Sequence, residues 1–148
     1  MQHVQNRSTT SALVLTAVLI ALATLFTMYT KIPVPGIRGY FNVGDVVIMT
    51  SALLLGRKYG AYIGAIGPAL ADLFLGYAVF VPITFVVKGI EGYLVGTVYN
   101  NKTTTSALVA TIVGGIIIVA GYFIAEYFVF DPGVAIASIV TNTIQAVM

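Results

Sequence analysis

The chain has 148 residues, of which 59% are hydrophobic and only 8% are charged. A typical soluble domain is about one quarter charged. A chain with this composition cannot cover a water-exposed surface, so it is predicted to be an integral membrane protein. It contains no Cys, and its one His is His3, which excludes disulfides, thiol nucleophiles and His-based metal or triad chemistry. The net charge of +2 is too small and too scattered for nucleic-acid binding.

Apolar runs divide the chain into six predicted transmembrane helices, which form a single all-α domain over residues 1–148. A membrane helix needs about 20 residues, so six spans are the most that this length allows. The second run is short for a span, and we expect it to be tilted, buried by its neighbours or extended into the preceding loop. The predicted spans are 10–29, 44–56, 59–77, 79–99, 106–128 and 133–148.

The first and the last span each leave an alternative open. Residues 10–29 could be a secretory signal, but the run is long for one and lacks small residues spaced for cleavage, so a retained helix is favoured. Residues 133–148 number at most 16, which corresponds to about 24 Å of helix. This run ends without a basic flank, so we expect the sixth helix to be truncated.

The distribution of Lys and Arg between the loops predicts the orientation, because basic residues favour the cytoplasmic side. We therefore expect a multi-pass protein of the plasma membrane with a cytoplasmic N-terminus. The loop 31–43, which is rich in Pro and Gly, then faces outside. In this orientation the inner side carries Arg7, Arg57, Lys58 and Lys102, and the outer side carries Lys31 and Arg38.

Four charged residues fall inside the predicted spans, where each costs at least about 2.5–3.5 kcal/mol on insertion scales. Lys88 and Glu91 are three residues apart and share one helix face, so they either neutralise each other structurally or contact a polar ligand. Asp72 could pair with a basic residue or have a functional role. Glu126, near the outer end of the fifth span, is interpreted as solvated at the membrane interface.

The sixth span carries a polar stripe of Ser138, Asn142 and Gln145 at steps of four and three. Amides in a membrane helix either bind a neighbouring helix or bind a ligand. In the predicted topology, Asn142 and Gln145 lie at about the depth of Lys88 and Glu91. Polar groups that converge in an apolar bundle indicate a small-molecule pocket.

Small residues indicate two faces where helices approach closely. Gly60, Gly64 and Gly67 recur at helical spacing in the third span, and Ala17 and Ala21 form a small-xxx-small pattern in the first. Such faces let helix backbones meet, although the pattern on the first span is common in membrane helices.

Two segments carry a resemblance to a known family: Phe41-Asn42-Val43-Gly44-Asp45 and Lys88-Gly89-Ile90-Glu91-Gly92. From Thr10 onward the chain resembles the substrate-capture (S) components of energy-coupling factor (ECF) vitamin transporters, most closely the riboflavin-type or general group. The other shared pieces, in the same order, are Pro33 to Tyr40, Gly56 with Tyr59-Gly60, Ala71-Asp72-Leu73, Gly76-Tyr77, Asn142 and Gln145.

The resemblance implies a protein that binds a water-soluble vitamin or vitamin precursor on the extracellular side, under the loop after the first helix. It implies partners for ATP-driven import, namely a transmembrane coupling subunit, docked by Ala17 and Ala21, and cytoplasmic ATPases. We expect Asp45 and Asp72 to have structural or gating roles. The ligand contacts that the resemblance implies are Phe41, Asn42, Lys88, Glu91, Tyr122, Asn142 and Gln145.

The polar groups suit a heterocycle with exchangeable N–H and C=O groups, so a pyrimidine-, pyridine- or flavin-like compound is expected, and a small pyrimidine or pyridine is favoured. One alternative is a self-sufficient secondary transporter or channel in which Lys88, Glu91 and Asp72 relay protons, but no inverted repeats support it. Another is a structural subunit of a membrane complex. The composition argues against an enzyme, and neither a metal nor a cofactor is expected.

Overall fold

A computed structural model of the chain describes residues 9–33, 40–99 and 103–147. Within these ranges it consists of six packed helices and one two-stranded ribbon, so the predicted all-α helical bundle is confirmed. The helices are α1 (Thr9–Tyr29), α2 (Gly44–Leu55), α3 (Arg57–Phe74), α4 (Phe80–Val98), α5 (Thr104–Val129) and α6 (Pro132–Val147).

The helix ends lie close to the ends of the predicted spans, and the largest difference is at α3, which ends at Phe74 rather than at residue 77. In the loop between α1 and α2, the sequence did not predict the antiparallel ribbon of β1 (Ile32–Pro33) and β2 (Tyr40–Phe41). In its register Ile32 is opposite Phe41. The ribbon brings the start and the end of this loop together.

Helix lengths and exposed side chains fit a multi-pass membrane protein. Among the described helices, Thr10–Tyr29, Phe80–Val98 and Thr104–Val129 are long and apolar enough to cross a bilayer, whereas α2 and α6 are shorter apolar helices. Leu54 and Phe128 are among many large apolar side chains that the bundle leaves exposed. In a membrane such side chains contact lipid.

The short helix α2 packs against α1, α3 and α4. Its 12 residues correspond to about 18 Å, which is less than a full bilayer core. Gly56 separates α2 from α3 and has a φ of 89°, a left-handed conformation that only Gly adopts readily. The turn at Gly56 therefore allows α3 to begin at once, at Arg57.

The predicted glycine face of α3 is where its backbone meets that of α4. A Cβ added to Gly60 would lie 2.6 Å from the carbonyl oxygen of Gly92, and a Cβ on Gly64 would collide with the carbonyl of Lys88. Glycine at these positions lets the two backbones touch. This contact fixes the position of Lys88, which carries the cation of the site described below.

Helix α1 packs against α3 through a different set of small and polar residues. Thr24 Oγ1 donates a hydrogen bond of 2.9 Å to the carbonyl oxygen of Gly67, and Ala23 is fully buried beside it. Ala17 and Ala21 are exposed on α1. The small-xxx-small pattern is therefore not used inside the bundle and remains available to a partner.

We predict that Gly92→Ala destabilises the protein and that Gly89→Ala, on the same helix, does so much less. The new methyl group at residue 92 would collide with the backbone oxygen of Gly60, whereas at residue 89 it would lie 3.2 Å from the side chain of Ala65. Overpacking costs about 1–3 kcal/mol, and the better helix propensity of Ala offsets a smaller clash. Thermal unfolding in detergent measures both variants, and equal melting temperatures would contradict this account of the interface.

Candidate ligand-binding site

A cavity opens between the helices next to the ribbon, with a volume of about 530 Å³ including its mouth. The enclosed part of this space is about 40 Å³, which is enough for only a few water molecules. Side chains from α1, α3, α4, α5 and α6 line it, together with Tyr40 and Asn42 from the segment between α1 and α2. The cavity is therefore enclosed by most of the bundle and by the described end of the loop between α1 and α2.

A buried ion cluster lies at one side of this cavity. Lys88 Nζ lies 2.5 Å from Asp45 Oδ1 and 3.2 Å from Glu91 Oε2. Lys88 is 2% exposed and Glu91 is completely buried. One cation shared by two carboxylates leaves a formal charge of −1 when all three groups are ionised.

The ion cluster is connected to the loop segment through Gln145 of α6. Gln145 Nε2 donates to Asp45 Oδ2 over 2.7 Å, and the backbone N–H of Asn42 donates to Gln145 Oε1 over 3.2 Å. The Asn42 side chain in turn accepts a 2.8 Å hydrogen bond from the N–H of Gly44. A continuous polar chain thus runs from Lys88 to the residue that follows the ribbon.

A second connection joins the loop to α3 and α4. Tyr40 Oη donates to Asp72 Oδ1 over 2.6 Å, and Thr84 Oγ1 donates to Asp72 Oδ2 over 2.5 Å. Burial and the adjacent Asp72 carboxylate raise the pKa of Tyr40 above its usual range, so its hydroxyl keeps the proton that it donates. Tyr122 Oη lies 3.0 Å from Thr84 Oγ1 and extends the network to α5.

Near the cavity, the ring of Tyr40 contacts Tyr77 and Lys31. The rings of Tyr40 and Tyr77 have centroids 5.1 Å apart. Lys31 Nζ lies 5.4 Å from the centroid of Tyr77 and 6.0 Å from that of Tyr40. These cation–π contacts add to the hydrogen bond that holds Tyr40 in place.

Glu126 lies on another side of the cavity, where α5 meets α6. Ser138 Oγ donates a hydrogen bond to Glu126 Oε2 and also contacts the carbonyl oxygen of Ala135 over 2.9 Å. Glu126 is buried and lines the cavity. The interpretation of Glu126 as an interfacially solvated side chain was therefore wrong, because its face of α5 points into the bundle.

The structure brings most of the predicted ligand contacts to one cavity. Glu91 is not among the lining residues, because it lies behind Lys88, and the side chain of Phe41 is outside the described part of the chain. Asp45 also stays behind the wall, as the partner of Lys88, whereas Asp72 lines the cavity. The predicted contacts that do line the cavity are Asn42, Lys88, Tyr122, Asn142 and Gln145.

Two carboxylates have partners other than those considered from the sequence. Asp45 pairs with Lys88 of α4, a contact that the sequence did not predict. Asp72 makes no ion pair within the described ranges and is satisfied by two hydroxyl groups.

Sequence reasoning missed several residues of the cavity wall. Three of them are buried threonines on otherwise apolar helices, namely Thr27, Thr84 and Thr141. The signal that could have identified them is a polar residue on the helix face that points into the bundle. Tyr40 could not be identified because its position depends on the unpredicted ribbon. The cavity residues without a predicted ligand role are Thr27, Tyr40, Pro68, Phe80, Thr84, Glu126, Ser138 and Thr141.

Comparisons with known proteins show which proteins the chain is similar to. Residues 7–148 match the family described as ECF-type riboflavin transporter, S component. An uncharacterised protein of Pyrococcus woesei is 41% identical over 127 residues, which cover 84% of this chain and 84% of that protein. The thiamine precursor transporter HmpT of Lactococcus lactis subsp. cremoris (strain MG1363) is 31% identical over 135 residues, which cover 90% of this chain and 75% of that protein. The resemblance predicted from the sequence is confirmed.

We predict that Lys88→Met destabilises the protein far more than Glu91→Gln. Removing the cation leaves Asp45 and Glu91 buried without a counter-charge, which typically costs about 3–5 kcal/mol. Glu91→Gln leaves the Lys88–Asp45 pair intact, so we expect a loss of roughly 1 kcal/mol. Unfolding in detergent compares the two variants. An equal or larger loss for Glu91→Gln would contradict the central role of Lys88.

Proposed function

We propose that this chain, which belongs to the family of ECF-type riboflavin transporter S components, captures its substrate on the extracellular side and delivers it to an ATP-driven importer. Family membership makes the chain a membrane subunit that captures a vitamin or vitamin precursor, and a transporter component rather than a member of an enzyme class. The site of capture, the substrate and the partner contacts are the parts that we propose.

We propose a small pyrimidine precursor of thiamine as the substrate. The relative HmpT is named as a thiamine precursor transporter. The enclosed part of the cavity is about 40 Å³, so a single-ring compound requires less widening of the cavity than a three-ring flavin does. Riboflavin is the competing substrate, since the family carries its name. The observation that carries the proposal is the enclosed polar cavity, in which a single-ring compound would meet Lys88, Asn142 and Tyr122.

The proposed capture step depends on the loop between α1 and α2. Its last residues are held by Tyr40 on Asp72 and by Asn42 on Gln145, both at the cavity. Each contact is a hydrogen bond worth roughly 0.5–3 kcal/mol, so together they are strong enough to keep the loop closed and weak enough to open. We propose that opening of this loop admits the substrate from outside the cell, which is consistent with the orientation predicted from the basic residues.

The proposed delivery step uses the exposed face of α1. Ala17 and Ala21 are exposed there, and small side chains let the backbone of a partner helix approach closely. We propose that the transmembrane coupling subunit docks on this face and that cytoplasmic ATPases drive the release of the substrate. The cavity lies within the bundle, away from these two alanines, so docking and binding can be disturbed separately.

We predict that Ala17→Trp and Ala21→Trp abolish uptake and leave binding unchanged. Cells that contain the partner subunits are assayed for uptake of labelled hydroxymethylpyrimidine, and calorimetry on the purified variants measures its affinity. Ala120→Trp is the matched control, because Ala120 is exposed on α5 and lies outside the proposed docking face. The control should keep both uptake and binding.

Three results would overturn different parts of the proposal. Normal uptake with Trp at residues 17 and 21 would contradict the docking face. Wild-type protein that binds riboflavin and not the pyrimidine would contradict the proposed substrate while keeping the role in vitamin capture. Uptake without any partner subunit would favour a self-sufficient transporter instead.

A further inference from the structure

The carboxylates around the cavity differ in how many of their oxygen atoms already have partners. Asp45 receives Lys88 on one oxygen and Gln145 on the other. Asp72 receives Tyr40 on one oxygen and Thr84 on the other. Neither group has an oxygen left without a partner, so both are explained as parts of the fold.

Glu126 is different because one of its carboxyl oxygens has no protein partner in the described ranges. Its Oε2 accepts from Ser138, whereas Oε1 makes neither a hydrogen bond nor an ion pair there. The side chain is only 4% exposed and lines the cavity. Oε1 is not among the buried side-chain atoms that lack a partner, so it is open to the cavity, where a ligand can donate a hydrogen bond to it.

A second polar group in the same cavity also lacks a partner. The amide nitrogen Nδ2 of Asn142 is buried without a hydrogen-bond partner among the described residues, and Asn142 is 8% exposed. Nδ2 is a donor, so it needs an acceptor. The cavity therefore offers a ligand an acceptor on Glu126 and a donor on Asn142. The hydroxyl of Thr27, which also lines the cavity and is buried without a partner among the described residues, can act as either.

We infer that Glu126 is the specificity-determining residue of the pocket and recognises an N–H edge of the ligand, while Asn142 donates to an acceptor on the same ligand. The ligand class is a single aromatic nitrogen heterocycle with an exocyclic amino group. A ring of the same size without the amino group lacks the donor for Glu126. This inference rests on the proposed function, since it concerns the substrate of the same cavity.

Ser138 supports Glu126 as a positioning residue. Its hydrogen bond to Oε2 holds the carboxyl group against α6, so that Oε1 is not free to turn toward another protein donor. Lys88 is already engaged by Asp45 and Glu91 and does not compete for Glu126. An N–H group of a ligand can therefore donate to Oε1 without competition from these protein groups.

The test compares two ligands on three proteins. The ligands are the amino-substituted hydroxymethylpyrimidine and the same compound with the amino group replaced by hydrogen. The proteins are the wild type, Glu126→Gln and the control Asp131→Asn, which removes an exposed carboxylate and keeps an oxygen to accept from Gly133 and Val134. Calorimetry in detergent gives the affinities, and a melting curve accompanies each protein.

We expect the wild type and the control to prefer the amino compound by about 10- to 150-fold, the usual range for a hydrogen bond to a charged group. Glu126→Gln should lose most of this preference by binding the amino compound more weakly, with little change for the analogue. If Glu126→Gln fails to fold, Glu126→Asp keeps the charge and withdraws the carboxyl group by one methylene, and it should also reduce the preference.

The outcomes separate this inference from the proposed function. A Glu126 variant that folds and retains the full preference overturns the role of Glu126. Wild-type protein that binds both pyrimidines equally, or binds riboflavin alone, also overturns the inference but leaves vitamin capture in place. Wild-type protein that binds none of these compounds contradicts the proposed substrate class, and the inference fails with it.

Discussion

The buried ammonium group of Lys88 is the feature on which the rest of the site depends. A cation inside a membrane bundle is tolerated only when counter-charges compensate for its lost hydration, and here Asp45 and Glu91 provide them at 2.5 and 3.2 Å. Because the glycine contact between α3 and α4 fixes the backbone at Lys88, the ammonium group holds α2 through Asp45. The second oxygen of Asp45 holds Gln145 of α6, so one charge organises three helices.

This arrangement divides the polar groups of the bundle into two classes. Asp45 and Asp72 have partners on both oxygens, and they connect the helices to the outer loop. Glu126 and Asn142 keep an acceptor and a donor without a partner among the described residues. The first class stabilises the empty protein, and in the binding mode that we propose the second class gains its partners from the ligand. Ligand binding can therefore be selective even though the protein folds without the ligand.

The sequence predicts most of the helices because long apolar runs are unambiguous, and it predicts the α6 stripe because Ser138, Asn142 and Gln145 repeat at helical spacing. All three are buried. Lys88 and Glu91 could be paired from the sequence for the same reason. The contact of Lys88 with Asp45 could not, because 43 residues separate the two and the packing of α2 on α4 brings them together. Glu126 was misread because depth along a span does not reveal which face of the helix meets the bundle.

The most direct test of this account is amide hydrogen exchange at Asn42 in the wild type and in Asp45→Asn. The buried ion cluster holds Asn42, in the loop between α1 and α2, through Gln145, and amide exchange reports the opening of such a hydrogen bond. Loss of the Asp45 charge should accelerate exchange at Asn42, with little change at amides in the middle of α5. Equal exchange at Asn42 in the two proteins would contradict the claim that the Lys88–Asp45 pair holds Asn42 in place.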